Sequence, residues 1–389
     1  MQVIYCVGTR FAGGGFGNVA YNDVRGIDAR GYLKRLLASS CRPTQVDPRL
    51  IRSLGLLGRG LRKLASYDPS GLIYGLHDLI FERWAARQVE PCDIFHGWNG
   101  YCLGALRRAR ALGAVTVVER ASSHILTQKR LLEEEYAAFG LGPGTIAPAW
   151  VVERCLREYE EADYVLVPSE FAYRSFVEQG FPEAKLRCLP FGVDVERFRP
   201  AAEEPETFRV LYVGQLSLRK GIPYLLRAWR ELALPNAELV LVGVPGPGDR
   251  RWLSSLLTPS VQVFGYTPDL PAHYRSASVF VFPSIEEGSA LVTYEALASG
   301  LPVITTFNAG SLVQDGQEGF VVPIRDVAAL KDHLRTLHDH PELRQQMRRA
   351  ARRRAEEYPW QRRVNGLLTL YEGLRDARSA EGAMPRRGS

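Results

Sequence analysis

The sequence holds no apolar run close to the roughly 20 residues that a membrane-spanning helix needs. Its first residues, MQVIYCVGTRF, lack the basic head and long apolar segment of a secretory leader and read as a first core strand. Cysteine is sparse: six residues, at 6, 41, 92, 102, 155 and 188, with no Cys-x-x-Cys pair. That argues against a disulfide framework or a zinc site, and fits a reducing cytoplasm. Cys6 and Cys188 lie in strand-like runs and are expected to be buried hydrophobes. No Asp-x-Asp pair is present. The nearest approach is Asp194-Val-Glu196, so no obligatory metal is expected. Nor is there an acidic surplus: the net charge of +6 and pI near 9.0 permit an anionic partner without naming one. The tract RRAARRR (348–354) runs straight into Glu356 and Glu357, which predicts a solvated helix face rather than a nucleic-acid site.

What is present points to a two-domain α/β protein. A chain of 389 residues exceeds the usual single-domain ceiling. Its 46% hydrophobic and 24% charged content suits a soluble globular protein with real cores.

The chain is organised around PSIEEGSALVTYEALASGLP (283–302). The run SVFVF before it reads as a buried parallel strand, and Leu291, Val292, Tyr294, Leu297 and Ala298 recur at helical spacing until Gly300. The loop between them lies at the carboxyl end of a strand, where open α/β sheets bind ligands. Glu287 precedes the helix and Glu295 lies within it. Gly288 allows close backbone approach to a ligand, and the N–H groups of Ser289, Ala290, Leu291 and Val292 form a helix start suited to phosphate or a polar sugar.

In these residues the sequence resembles the retaining nucleotide-sugar glycosyltransferases of the GT-B fold, family four, which carry two Glu separated by seven residues in this setting. The resemblance implies that Glu287 holds donor-sugar hydroxyls and Glu295 the ribose. It is firm from about residue 164 to 375 and diffuse before that.

In the first half, a strand runs into TRFAGGGFGN and a helix from Val19. A dinucleotide fingerprint would need Gly where Asn18 stands, so that reading is weak. The family's glycine-rich loop faces the interdomain cleft, which places Gly13, Gly14 and Gly15 near the donor phosphates; a plain tight turn is the alternative. Residues 30–88 are the hardest to read. RLIRSLGLLGRGLRKLASYD is an amphipathic basic stretch that suits a membrane surface or a lipid acceptor, although Gly55, Gly58 and Gly60 argue against a long helix. DIFHGWNG ends a strand at His96, Trp98 and Asn99, which are assigned to the acceptor side. His124 follows the strand AVTVVER. The resemblance implies a catalytic contact from His124 near the anomeric carbon, and a loop-capping role is the alternative. Ser169 is a good N-cap. The run Gly192-Val193-Asp194, with Phe198 and Pro200, matches the family's domain end.

RPAAEEPET (199–207) reads as an interdomain linker. After the strand FRVLYVG, the family usually has Arg where Gln215 stands; Lys220 matches the family and Arg219 compensates as a second diphosphate cation. Gly265 and Tyr266 correspond to the loop that touches the base. VPGPGD (244–249) reads as a turn. A last helix, about 360–376, is expected to cross back onto the first domain, with a disordered tail over 377–389.

The expected fold class is α/β: GT-B, with two Rossmann-like domains facing across a cleft. Residues 1–198 would bind the acceptor and 207–357 a UDP- or GDP-sugar. The expected function is metal-independent, retaining transfer of a sugar to a hydroxyl acceptor (glycan, lipid or small metabolite), catalysed by His124, Glu287 and Lys220, with no cofactor and no nucleic acid. A cytoplasmic protein is expected, with peripheral association at the inner membrane face as an option. A nucleotide-sugar epimerase on the same fold and a catalytically silent scaffold subunit are the alternatives.

Overall fold

The central strands of each sheet are short apolar runs buried on both faces, the pattern of parallel sheets covered by helices. The computed structural model describes residues 1–65, 72–142, 146–246 and 249–383. The N-terminal lobe runs β1 (Val3–Phe11), α1 (Phe16–Ala29), β2 (Leu33–Cys41), β3 (Ile51–Ser53), α2 (Leu56–Ala65), α3 (Leu72–Gln88), β4 (Ile94–Trp98) and α4 (Leu103–Ala111). It continues through β5 (Val115–Glu119), α5 (Ile125–Ala138), α6 (Ala149–Glu161), β6 (Tyr164–Val167), α7 (Glu170–Val177) and β7 (Leu186–Cys188). The C-terminal lobe begins β8 (Phe208–Val213), α8 (Ile222–Leu232), β9 (Ala237–Val242), α9 (Arg250–Leu256), β10 (Val261–Phe264) and α10 (Leu270–Arg275). It ends β11 (Val279–Phe282), α11 (Leu291–Ala298), β12 (Val303–Thr306), β13 (Gly319–Val322), α12 (Val327–Asp339) and α13 (Pro341–Glu356), and α14 (Trp360–Ala383) follows.

Both sheets are parallel. Their orders are β3-β2-β1-β4-β5-β6-β7 and β10-β9-β8-β11-β12-β13. Strand order therefore reverses between β1 and β4 in one lobe and between β8 and β11 in the other, and such switch points open a crevice at the carboxyl ends of the strands. The lobes are joined beside the crevice by apolar contacts: Ile285 packs with Leu131 and Phe171, and Leu218 with Leu132 and Tyr136. Ile285 and Leu218 are fully buried, and each such side chain contributes about 1.5–3 kcal/mol.

Helix α14 returns to the N-terminal lobe. Its Arg363, fully buried, donates in parallel to both oxygens of Asp23 at 2.8 Å and to Glu119 at 2.8 Å. Tyr371 meets His96 Nδ1 at 2.6 Å, and Val364 fills the space above Gly26. The helix continues to Ala383, and Arg378 ties it to the carbonyl of Ala114. The expected disorder thus fails for 377–383, while 384–389 lie outside the described residues.

Two further expectations are corrected. Cys188 is exposed, because β7 is an edge strand. Helix α2 spans only ten residues, and Gly58 is what lets it sit against the carbonyl of Ser39. The arginine tract is only partly solvated: Arg348 is buried, and Arg352 Nη1 donates to the carbonyls of Val195, Phe198 and Ala298 at 2.8–3.0 Å.

Candidate active site

At the C-terminal switch point, the loop after β8 turns through Leu218–Lys220 and stops at Gly221, whose φ of 69° favours glycine. A Cβ there would overlap the carbonyl of Pro283, so this glycine presses the β8 loop onto the β11 loop. Ile285 N donates to Arg219 O at 2.9 Å and locks the contact. Two loops distant in sequence thereby bring Lys220 and Glu287 together.

Lys220 Nζ bonds Glu287 Oε2 directly and lies 5.5 Å from the centre of the Phe282 ring. Burial, reinforced by Arg219, holds the ammonium below its ordinary pKa against the pull of Glu287. Arg219 Nη2 reaches Glu287 Oε1 at 2.8 Å, Glu286 Oε2 at 2.9 Å and Ser122 Oγ at 3.4 Å. Its guanidinium is thus engaged by two carboxylates and the opposite lobe.

Helix α11 starts beyond this cluster, and Ala290 at its N-cap has no side chain that could cap it. Ser289 Oγ is turned into the loop, toward Tyr294 Oη at 2.7 Å and Gly310 O at 2.9 Å. Leu291 and Glu295 line a groove of about 400 Å³ with Asn18, Tyr21, Arg197 and Trp360. Glu295 accepts from Tyr274 Oη at 2.9 Å, and burial pushes its pKa up to about 7.

Facing this, the N-terminal switch point carries a cavity of about 210 Å³ lined by Thr9, Phe16, Trp98, Asn99, Arg120 and, from the other lobe, Arg219. Phe16 and Trp98 form a tilted aromatic pair, 5.4 Å between centroids. Asn99 Oδ1 accepts from Arg120 Nη1 and from Tyr159 Oη, both at 3.1 Å, and its amide donates to Glu158 at 2.7 Å. Glu158 also takes the N–H groups of Gly100, Cys102 and Leu103. A buried carboxylate at the head of α4 therefore fixes this loop, and burial raises it to about 7. The short segment 121–123 carries Ser122 into the cavity, while Ser123 bonds Glu286.

The two halves match known families separately. Residues 13–197 match the model described as Glycosyltransferase Family 4, and residues 207–340 the model described as Glycosyl transferases group 1. A GDP-mannose-dependent alpha-mannosyltransferase of Mycobacterium tuberculosis is 31% identical over 315 residues, which are 77% of this chain and 77% of that protein. The chain belongs to the group 1 glycosyltransferases, family 4. Sulfoquinovosyl transferase SQD2 of Arabidopsis thaliana is 33% identical over 55% of the chain, and the chain spans about half of that relative, 45% of its length. Anabaena Alr3699/HepE, solved in complex with UDP, superposes with a TM-score of 0.70 at 14% identity, over 96% of this chain and 100% of that one.

The structure brings Lys220, Arg219 and Glu287 together, and places Gly14 and Gly15, both exposed, at the open start of α1. It corrects other expectations. Gly288 makes its close approach to the opposite lobe, not to open space: a Cβ there would overlap the carbonyl of Ala121. His124 is buried, caps α5 by accepting from Leu126 N at 3.3 Å, and packs on Phe176 and Tyr159. Its hollow, lined by Tyr159, Gln179, Phe181 and Lys185, is a separate one. Burial and Arg120 hold its pKa near 4, so it stays neutral.

His96 is likewise a core residue, stacked on Tyr5 with centroids 4.5 Å apart and 3.0 Å from Glu119. Of the acceptor residues expected, only Trp98 and Asn99 line the cleft cavity. Gln215 lines a neighbouring hollow with Gln128, Ser217 and Asp249, the last from the VPGPGD turn, whose residues 247–248 lie outside the described ones. Gly265 and Tyr266 follow edge strand β10. Tyr266 is 92% exposed and does not join the walls described here. Glu286 and Ser123 were missed. The signal available was a second carboxylate beside Glu287, since neighbouring side chains on a loop can serve opposite walls.

Proposed function

We propose that the chain transfers a sugar from a UDP- or GDP-sugar to a hydroxyl acceptor, with retention and without an obligatory metal. The observation that carries this reading is the Lys220–Glu287 pair at the C-terminal switch point, eight residues from Glu295, facing an aromatic and polar cavity across the crevice. Residues 207–357 present the donor, and residues 1–198 with the crossover helix present the acceptor. The diphosphate lies between Gly14–Gly15 and the start of α11, where Leu291 and Val292 N–H groups and the Lys220 ammonium meet the growing negative charge. Glu287 orients the sugar hydroxyls and Glu295 the ribose. Lys220 and the helix start supply the positive charge that a cation would otherwise bring. The acceptor oxygen attacks C1 from the face the leaving phosphate departs, the C1–O bond to phosphate breaks, and the acceptor proton passes to the leaving phosphate oxygen.

The relatives' printed names support a nucleotide-sugar donor: one is GDP-mannose-dependent and one was solved with UDP. The acceptor is a sugar or polyol stacked on Phe16 and Trp98. A lipid-borne acceptor has one specific support. Leu56, Leu57 and Leu64 of α2 are exposed beside Arg59 and Lys63, a face suited to the inner surface of an anionic membrane. Among the described residues no helix is long and apolar enough to cross a membrane.

The test is release of nucleoside diphosphate from UDP- and GDP-sugars by the purified chain, with and without an acceptor panel and with and without chelator. Acceptor-stimulated, chelator-resistant release for one donor is expected, with the product anomer matching the donor. Chelator-abolished release, restored by magnesium or manganese, contradicts metal independence. An isomeric nucleotide sugar made without acceptor points to an epimerase.

A further inference from the structure

We propose that Glu286 is a positioning residue: a latch that holds the two lobes closed and fixes Arg219 against Glu287. This rests on the donor-site reading above and adds to it a residue with no other assigned role.

The geometry is unusual for a loop carboxylate. Glu286 sits on the C-terminal lobe but is fully buried, largely by donors of the N-terminal lobe. Its Oε1 accepts from Ser123 N at 3.1 Å and from Ser123 Oγ at 2.7 Å. Its Oε2 accepts from Gln128 Nε2 at 2.9 Å and lies 2.9 Å from Arg219 Nη2. Opening the crevice would break all but the Arg219 contact at once, and a carboxylate buried this way is stabilised only while those partners stay in place.

Arg120 braces the same partners from behind. Its Nε donates to Ser123 O at 3.0 Å and its Nη2 to Gln128 Oε1 at 2.9 Å, while Nη1 holds Asn99 in the cleft cavity. A continuous polar path therefore runs from Asn99 through Arg120, Ser123 and Gln128 to Glu286, then through Arg219 to Glu287 and Lys220. It links the acceptor cavity to the donor cations. The next residue, Gly288, meets Ala121 and Ser122, and Ser169 Oγ donates to its carbonyl. Closure is thus specified by Ile285, Glu286 and Gly288 on one loop, with Glu286 contributing the charge. Burial alone would raise the Glu286 carboxyl, but Arg219, the hydrogen bonds from Gln128 and Ser123 and the charge of Arg120 together outweigh it and hold the group below its ordinary pKa, so the latch remains ionised across the physiological range.

The latch makes a separable prediction about binding and turnover. The variants Glu286→Gln, which keeps the side-chain shape, and Ser123→Ala, which removes a partner from the other lobe, are compared with the wild type. UDP and GDP affinity should stay near the wild-type value, because Lys220 and Glu295 are untouched. Turnover of the donor sugar should fall by about 10²-fold, as expected when reacting groups lose their alignment. The double variant should lose no more than Glu286→Gln alone, since both act through one contact. X-ray scattering of the unliganded chains should show a larger radius of gyration for each variant. A Glu286→Gln chain with wild-type turnover and scattering, or single losses that multiply in the double variant, overturns the latch. If the wild type binds no nucleotide, the donor-site reading fails on its own account, and the scattering comparison still decides the latch.

Discussion

The carbonyl oxygen of Ala121 occupies the place a Cβ on Gly288 would need. One residue of the loop between β11 and α11 is therefore glycine because the opposite lobe closes onto it. Gly288→Ala should hold the lobes apart and lower sugar transfer by about 10²-fold, with nucleotide binding retained. Steady-state kinetics beside a nucleotide titration separates the two effects. An alanine variant with full turnover would mean that the closed contact is not the reactive arrangement.

His124 behaves as a structural cap. Its pKa, about 4 against an ordinary 6.5, lies lower in the folded chain than in the unfolded one. The unfolded state therefore binds the extra proton first, and this contribution to stability is complete above pH 6.5 and lost as pH falls toward 4. His124→Asn keeps a capping side chain, so turnover at neutral pH should survive, and urea midpoints should fall less steeply between pH 6.5 and 4 than in the wild type. Loss of turnover with an intact fold would return His124 to the chemistry.

Glu295 has the opposite sign. Its pKa of about 7 lies above the ordinary 4.5, so its contribution to stability is present below pH 4.5 and is lost as pH rises through 7. Glu295→Gln should be the more stable chain at pH 8. In the wild type, nucleotide affinity should rise between pH 6 and 8 as the carboxylate forms and accepts from the ribose hydroxyls; in Glu295→Gln that rise should vanish. Calorimetric titration at the two pH values reads both curves.

Arg363 anchors the crossover helix through two buried carboxylates, Asp23 and Glu119. Removing one partner of such a cluster strands the others, so Arg363→Met should cost about 3–5 kcal/mol. A fall in the urea midpoint measures it, and an unchanged midpoint would show that α14 is held chiefly by its apolar face.

Much of the frame was legible. The alternation of apolar runs with helical periodicity exposed both sheets, and the Glu287 to Glu295 spacing marked the loop on which Lys220 and Arg219 meet Glu287. What escaped depended on which way a side chain turns. His96 lies within β4 and His124 in the loop after β5, where a sequence suggests a cleft, yet one is drawn into the Arg363 cluster and the other into the aromatic packing of Phe176. Glu286 was hidden by its neighbour, because spacing alone does not say which of two adjacent carboxylates faces which lobe. Gly288 reads as a close approach to a ligand, whereas the group it approaches is the Ala121 carbonyl, 167 residues away in sequence and beyond any local pattern.

The central claim is that the C-terminal lobe binds a nucleoside diphosphate beside Lys220. Thermal unfolding of the wild type and of Lys220→Ala, each with UDP and with GDP, tests it most directly. One nucleotide at about a hundredfold excess over its Kd should raise the wild-type midpoint by roughly 3–8 °C, and the variant's by clearly less. Midpoints unmoved by either nucleotide, or moved equally in the wild type and Lys220→Ala, would contradict the account.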